Sequence, residues 1–351
     1  MKHLSMGSKG RTSWIRPRPL HQNTSQEFGA RGFITYHGKK IASCLRYASA
    51  LEITKGGGCM KEVSKLASWW VDIGLGPEYN AFRDMATKVI CLITTVDDVY
   101  DVYGSLEELK LFTDYVDRWD ITEIDKLPMH IKTILLAMFN TVNEIGYWTM
   151  KERDFNIIPY LRKQVRDLSS WANLCKAYLR EATWYHSGYK PTMEEYMENA
   201  SVSIGGLLML FCAYFLTVGM ITAEALDFID KVPSIMWCPS VLIRLNDLGT
   251  SSHELARGDI LKAVQCYMND TGSSEEVSRK HVDDLVHETW KILNKDLLGS
   301  YPFSEPFLSA NPNIARTSQT FYQYGDGHGI PQHWTKDHLK SLLVEPFTLN
   351  E

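Results

Sequence analysis

Residues Thr94–Gly104, TTVDDVYDVYG, set three carboxylates, Asp97, Asp98 and Asp101, at the end of an apolar run. On a helix, Asp97 and Asp101 project from one side, roughly 6 Å apart along the axis. All three crowd the C-terminal turns, where the helix dipole is already negative and like charges four apart repel. Nothing about stability favours this arrangement; a cation would complete it. Hard oxygen ligands suit Mg²⁺ or Mn²⁺, and Mg²⁺ is usually held by one or two carboxylates together with water and substrate phosphates. Taken alone, DDxxD is more often a solvated acidic helix end.

A second stretch, VLIRLNDLGTSSHELARGD over 241–259, changes that balance. Asn246, Thr250 and Glu254 fall at i, i+4 and i+8, a slowly drifting row on a helix, and all three offer oxygen. Arg244 and Lys262 bracket the row with positive charge. By itself the row is equally surface charge, with Arg244 pairing to Asp247 at i, i+3. Two oxygen-bearing rows of different composition, with Arg and Lys beside them, together describe a site that gathers divalent cations around a polyphosphate. Arg offers that anion a planar fork and Lys a point charge. Where the phosphate carries an allylic chain, neutralising the leaving group lets the carbon–oxygen bond ionise. The carbocation then needs a dry, aromatic pocket, and cation–π attraction is a physical reason for Trp, Tyr and Phe there.

The elements that must hold these residues read as helices. Phe82, Met85, Val89, Leu92 and Val96 recur at steps of three and four, one buried face leading into the aspartates, and Gly104 is a natural stop. Further amphipathic segments are expected at Glu107–Trp119, Pro128–Arg153, Tyr160–Tyr185, Met193–Ala200 after the Pro191-Thr192 start signal, Ser274–Lys295 and Lys336–Leu343. No strand-like alternation appears, so the class is all-α. Ser201–Ala223 carries no charge and is long enough to span a bilayer. Its three glycines and acidic helical flanks favour instead a buried helix broken near Gly205–Gly206, with no membrane span.

The chain has 351 residues, 44% hydrophobic and 23% charged, with a net charge of −5. That balance, without a sustained basic face, argues against a nucleic-acid partner. Seven scattered cysteines, never spaced as CxxC, read as reduced, mostly buried thiols. Met1–Tyr47 differs from the rest, with nine Lys or Arg against the single acidic Glu27. Residues 1–60 therefore read as a basic arm, either a plastid-type transit peptide or a disordered tail, and 61–351 as one helical domain. His328, His333 and His338 sit among Gly and Pro with no thiol near, which argues against zinc. His253 and His186 read as surface or satisfied histidines.

With these residues in view, Lys61–Glu351 resembles the C-terminal catalytic domain of plant class I terpene synthases, closest to the monoterpene synthase group. The resemblance rests on DDVYDVYG and NDLGTSSHE, on Trp69-Trp70, and on WANLCKAYLREATWY from Trp171. YKPTMEEYMENASVSIGG from Tyr189, RGDILKAVQCYMND from Arg257 and ARTSQTFYQYGDGHG from Ala315 add to it. It implies a helical bundle around a central apolar cavity and a lyase that converts an acyclic prenyl diphosphate, geranyl or farnesyl diphosphate, to a terpene and diphosphate. It implies three Mg²⁺ or Mn²⁺ ions, two on Asp97 and Asp101 and the third on Asn246, Thr250 and Glu254. Asp97, Arg244 and Lys262 would meet the diphosphate, with Tyr322 and Asp326 near the pocket mouth and Asp98 in support. A monomer is expected, plastidial or alternatively cytoplasmic. Two departures stand out: the family's helical N-terminal domain has no counterpart, and neither has its Arg-x-Arg element. WWVDIGL runs directly into GPEYNAFRDMATK, where Phe82-Arg83-Asp84-Met85 resembles the start of the aspartate helix. That loss would leave the leaving group less compensated, the pocket open to water and the bundle incomplete, so a catalytically silent protein is the contrasting expectation.

Overall fold

The structure, a computed structural model, describes residues 79–161, 170–246 and 261–322. Within these residues lie eleven α-helices and no strand. The aspartate helix is α1, Asn80–Asp98, and it runs on into a π-helical turn at Val99–Tyr103. Its predicted face is the buried one: Phe82, Val89, Leu92 and Val96 are all but inaccessible and Met85 nearly so. Burying each such side chain contributes about 1.5–3 kcal/mol. The Thr87, Thr94 and Thr95 hydroxyls donate back to the carbonyls of Arg83, Ile90 and Cys91, so they enter the helix without stranding a polar group.

Gly104 does end this element, though for another reason than a left-handed cap. Its φ is −94°, and a Cβ there would lie 2.4 Å from Leu109 Cδ2. The next helix crosses too closely for a side chain. That helix is α2, Leu106–Arg118, started by a capping box in which Ser105 and Glu108 bond each other's backbone N–H. Helix α3, Met129–Arg153, packs along α1, and Lys88 reaches Glu144 across the pair at 2.6 Å. The expected long helix over Tyr160–Tyr185 is not continuous. Ser170 is extended (φ −103°, ψ 161°) and caps a fresh helix, α4, Trp171–Ser187, by accepting from Asn173 N–H. An amphipathic pattern alone did not register the serine as a start.

The uncharged run behaves as its glycines suggested. Helix α5, Met193–Ser203, begins at the Thr192–Glu195 capping box, and α6, Gly206–Thr217, follows a break at Gly205, whose φ of 73° suits glycine. Every residue of α6 is buried. The stretch Met193–Thr217 is long and apolar enough to cross a membrane by composition, yet 83% of its most apolar window lies inside the protein. Burial in the bundle accounts for that apolarity. Helix α7, Ala223–Asp230, starts on a Thr222 cap. The last elements are α8 (Ser234–Asn246), α9 (Ala263–Thr271), α10 (Glu275–Asp296) and α11 (Glu305–Tyr322). The described cysteines, 91, 175, 212, 238 and 266, are buried thiols.

Helix α8 is the hub, packed against α10, α11, α6 and α5. Its position is fixed by two backbone carbonyls that would otherwise lack partners. Pro239 lies inside α8 and has no N–H for the Ile235 carbonyl; buried Asn311 of α11 donates to that carbonyl at 2.8 Å. The break after α5 turns the Gly205 N–H toward Val202, away from the Ser201 carbonyl, and Ser240 Oγ of α8 donates to it at 2.6 Å. Gly206 permits the contact, since a Cβ there would lie 2.6 Å from Ser240 Oγ. Replacing Asn311 with Leu strands the Ile235 carbonyl and is expected to lower unfolding free energy by about 1–3 kcal/mol. Urea unfolding of the two proteins measures it, and equal midpoints would show that the Asn311 bond does not secure α8.

Candidate active site

Three helices and one helix start bring the polar groups together. The C-terminal turns of α1 carry Asp97, partly buried, and Asp98 and Asp101, both exposed, with Asp101 inside the π turn. Such one-residue widenings of a helix recur at functional sites. Helix α4 turns Cys175, Tyr178 and Glu181 inward on one face, and Glu181 is only 6% exposed. Arg244 on the last turn of α8 and Lys262, just before α9, are also buried.

Charge ties these groups into one cluster. The Asp97 carboxyl is held well above its ordinary value of 3.8, first by burial, then by the negative charges of Asp101, Asp98 and Glu181, with Lys262 opposing. Tyr178 is pushed up by burial and then by Asp97, Glu181 and Asp101. Arg244 Nη2 lies 3.6 Å from Glu181 Oε1, and its guanidinium sits 5.5 Å above the Tyr196 ring. Both Arg244 and Lys262 act on the Cys266 thiol, which burial nonetheless pushes up to about 12. Behind the carboxylates, Tyr100 and Tyr178 pack with ring centroids 5.5 Å apart.

Of the residues singled out in the sequence, Asp97, Asp101, Arg244 and Lys262 are therefore gathered at one end of α1. Asn246 closes α8 half a turn beyond Arg244, and its Nδ2 is buried with no hydrogen-bond partner among the described residues. Tyr322 ends α11, partly exposed, on a helix that packs mainly on α8 and α6. Thr250, Glu254, Asp326, His253 and the His328, His333 and His338 series lie outside the described residues, as do the 1–60 arm and Lys336–Leu343. Sequence reasoning missed Glu181, together with Asn199 and Ser203, which bond it. A signal existed: Leu174, Tyr178 and Glu181 follow helical spacing, so a carboxylate stands on an apolar face.

A divalent cation fits this donor set. Clustered carboxylates, one of them raised above its ordinary value by burial and then by its neighbours' charge, are the environment that a bound cation relieves. Among the described residues no three His, Cys, Asp or Glu converge to hold a metal. Protein oxygens here would leave coordination positions to water and substrate oxygens. A hollow of about 290 Å³ lies elsewhere, between Phe82, Trp148, Arg153 and Thr217. Phe82 to Asp97 spans roughly 22 Å of helix axis, so this hollow is not the site.

An all-α bundle that gathers carboxylates, an arginine and a lysine at one helix end offers oxygen donors for a cation and positive charge for an anion. The chain belongs to the terpene synthase family: residues 58–292 match "Terpene synthase family, metal binding domain". It is 47% identical over 361 aligned residues to a (+)-alpha-terpineol synthase of Santalum album, covering 95% of this chain and 62% of that protein. It is 49% identical to a chloroplastic myrcene synthase of Quercus ilex, over 81% of this chain and 47% of that one. Isoprene synthase from grey poplar, Populus x canescens, solved with three Mg²⁺ ions and dimethylallyl-S-thiolodiphosphate, superposes with a TM-score of 0.80. It is 37% identical, over 90% of this chain and 59% of that one. The fold is thus the class I terpenoid synthase helical fold, and the chain spans about half to three-fifths of the length of these relatives.

The raised Asp97 value has a measurable consequence. A folded chain that holds a proton more tightly than the unfolded one loses stability as pH climbs from the ordinary carboxylate value to the raised one. Metal-free Asp97→Asn protein, which cannot ionise there, is expected to melt higher than the parent at pH 7, with the gap closing as pH falls toward 4. Thermal melts in chelator across that range measure it; a variant that melts lower at pH 7 would contradict the charge crowding described.

Proposed function

We propose that this chain ionises an acyclic prenyl diphosphate, geranyl diphosphate in the first instance, to a monoterpene and inorganic diphosphate, acting as a carbon–oxygen lyase. The observation that carries the reading is the gathering of Asp97, Asp101, Glu181, Arg244 and Lys262 at one end of buried α1, in a metal-binding domain of this family. Asp97 and Asp101 would hold two Mg²⁺ or Mn²⁺ ions, and Asn246, Thr250 and Glu254 a third. When bound, such ions neutralise diphosphate oxygens and act as Lewis acids on the departing group.

The chain's own residues supply the rest. Arg244 offers a fork to the diphosphate and Lys262 a point charge. Both are buried, so their attraction for the leaving group is stronger than at an exposed position. Tyr178 and Tyr196 border the charged cluster, and the Tyr196 ring supports the Arg244 guanidinium. Tyr322 borders the pocket mouth in this reading. The chain acts as a monomer, and its basic, acid-poor arm directs it to plastids, as the name of the Quercus ilex relative has it for that protein.

Two other readings have specific support. A relative from Santalum austrocaledonicum is a beta-bisabolene synthase, which favours farnesyl diphosphate as a competing substrate. Direct passage from Trp69-Trp70 to GPEYNAFRDMATK, without an Arg-x-Arg, favours a protein that binds metal and diphosphate but does not turn over. Purified chain incubated with each diphosphate and Mg²⁺, with volatiles and released diphosphate measured, separates them. Monoterpene from geranyl diphosphate is the expected result; a sesquiterpene from farnesyl diphosphate alone, or no product from either, selects one of the alternatives. Asp97→Ala is expected to lower turnover on the order of a hundredfold or more, and unchanged turnover would remove the role given to Asp97.

A further inference from the structure

Glu181 belongs to the charged cluster, yet the reading above gives it neither a metal nor a diphosphate to hold, and its position needs a reason. It is a buried carboxylate whose charge adds to the crowding on Asp97. It is also tightly tethered. Oε1 accepts from Ser203 Oγ at 2.6 Å and from Asn199 Nδ2 at 3.0 Å, and Asn199 Nδ2 donates as well to the Ala177 carbonyl at 3.1 Å. Its tethers come from α5 and its charge partner, Arg244, from α8, 3.6 Å away. The Arg244 guanidinium thus lies between a fixed carboxylate and the Tyr196 ring, 5.5 Å from the centroid. Groups on two different helices thus flank it.

We propose that Glu181 is a positioning residue that aims Arg244 at the diphosphate, its own orientation set by Ser203 and Asn199. The inference rests on the reading of Arg244 as a diphosphate contact. At 3.6 Å the pair is an ion pair rather than a close bidentate bond, so Glu181 orients the guanidinium without competing as strongly as a well-formed fork would. The tethers matter for the same reason. A glutamate has three rotatable torsions, and two short bonds to one oxygen remove that freedom before substrate arrives. Placement of a cationic contact before the anion binds lowers the ordering cost of binding and sharpens the geometry in which the carbon–oxygen bond ionises.

Calorimetric titration of the full chain with inorganic diphosphate in excess Mg²⁺ reads both affinity and the number of sites per chain. Glu181→Gln keeps an acceptor for Ser203 and Asn199 while removing the charge, and is expected to raise Kd about tenfold with the number of sites unchanged. In an Arg244→Gln background the same change should add little, because the effect runs through the arginine. Ser203→Ala, which keeps the charge but removes a tether, is expected to raise Kd about threefold and serves if Glu181→Gln fails to fold. Fewer sites at an unaltered Kd would mean a purely structural role and overturn the proposal, as would unaltered binding in both variants or full additivity with Arg244→Gln. If Arg244→Gln itself binds diphosphate like the parent, or the parent does not bind it, the diphosphate reading of Arg244 fails first and the proposal with it.

Discussion

Everything in this structure answers to a concentration of negative charge where a helix can least tolerate it. Asp97, Asp98 and Asp101 stand at the negative end of α1, and Glu181 faces them from α4. Left to itself such a helix end would fray into water, where charges separate and are screened. It does not, because the face of α1 that precedes it is buried almost completely, from Phe82 through Val96. Apolar burial along one stripe holds in place an arrangement that electrostatics opposes. A local rule broken at a site and compensated elsewhere is the usual mark of function rather than stability.

The opposite charges arrive by a chain of backbone requirements. Gly205 breaks the uncharged run, which leaves the Ser201 carbonyl without its regular partner; Ser240 supplies one, and only a glycine at 206 lets Ser240 come close enough. Arg244 is one turn beyond Ser240 on the same helix, so docking Ser240 also delivers the guanidinium to Glu181 and Tyr196. Pro239 and Asn311 fix the other side of that helix. Two proline- and glycine-imposed gaps in hydrogen bonding are thus filled across helices, and the fillings set where a charged side chain points.

How much of this could be read from the sequence depends on whether a property is local. The aspartate row and the buried face of α1 were legible because each follows from spacing within one helix. Glu181 was legible only as a carboxylate out of place on an apolar face; what it faces is set by helices far away in the chain. What allows Pro239 inside α8 was not local either: its orphaned carbonyl finds Asn311, which is 72 residues away from Pro239 in the chain. The Ser170 cap escaped notice for the same kind of reason, because serine within an amphipathic pattern does not announce which way its hydroxyl will turn.

These two kinds of residue also separate what a site of this type can change from what it must keep. On the proposed reading, the carboxylates and the basic pair are constrained by chemistry, since an anionic head group held through cations requires oxygen donors and positive charge whatever the carbon chain attached to it. On the same proposed reading, Ser203, Asn199 and Tyr196 are tied to the chemistry through the direction Arg244 takes. A different set of side chains on α5 could deliver the same guanidinium along a slightly different line. The angle at which a leaving group is held decides where the departing charge lies relative to the cation it leaves behind. If the chain ionises a prenyl diphosphate as proposed, the floor of the charged cluster would help to decide which rearrangement of the carbon skeleton follows.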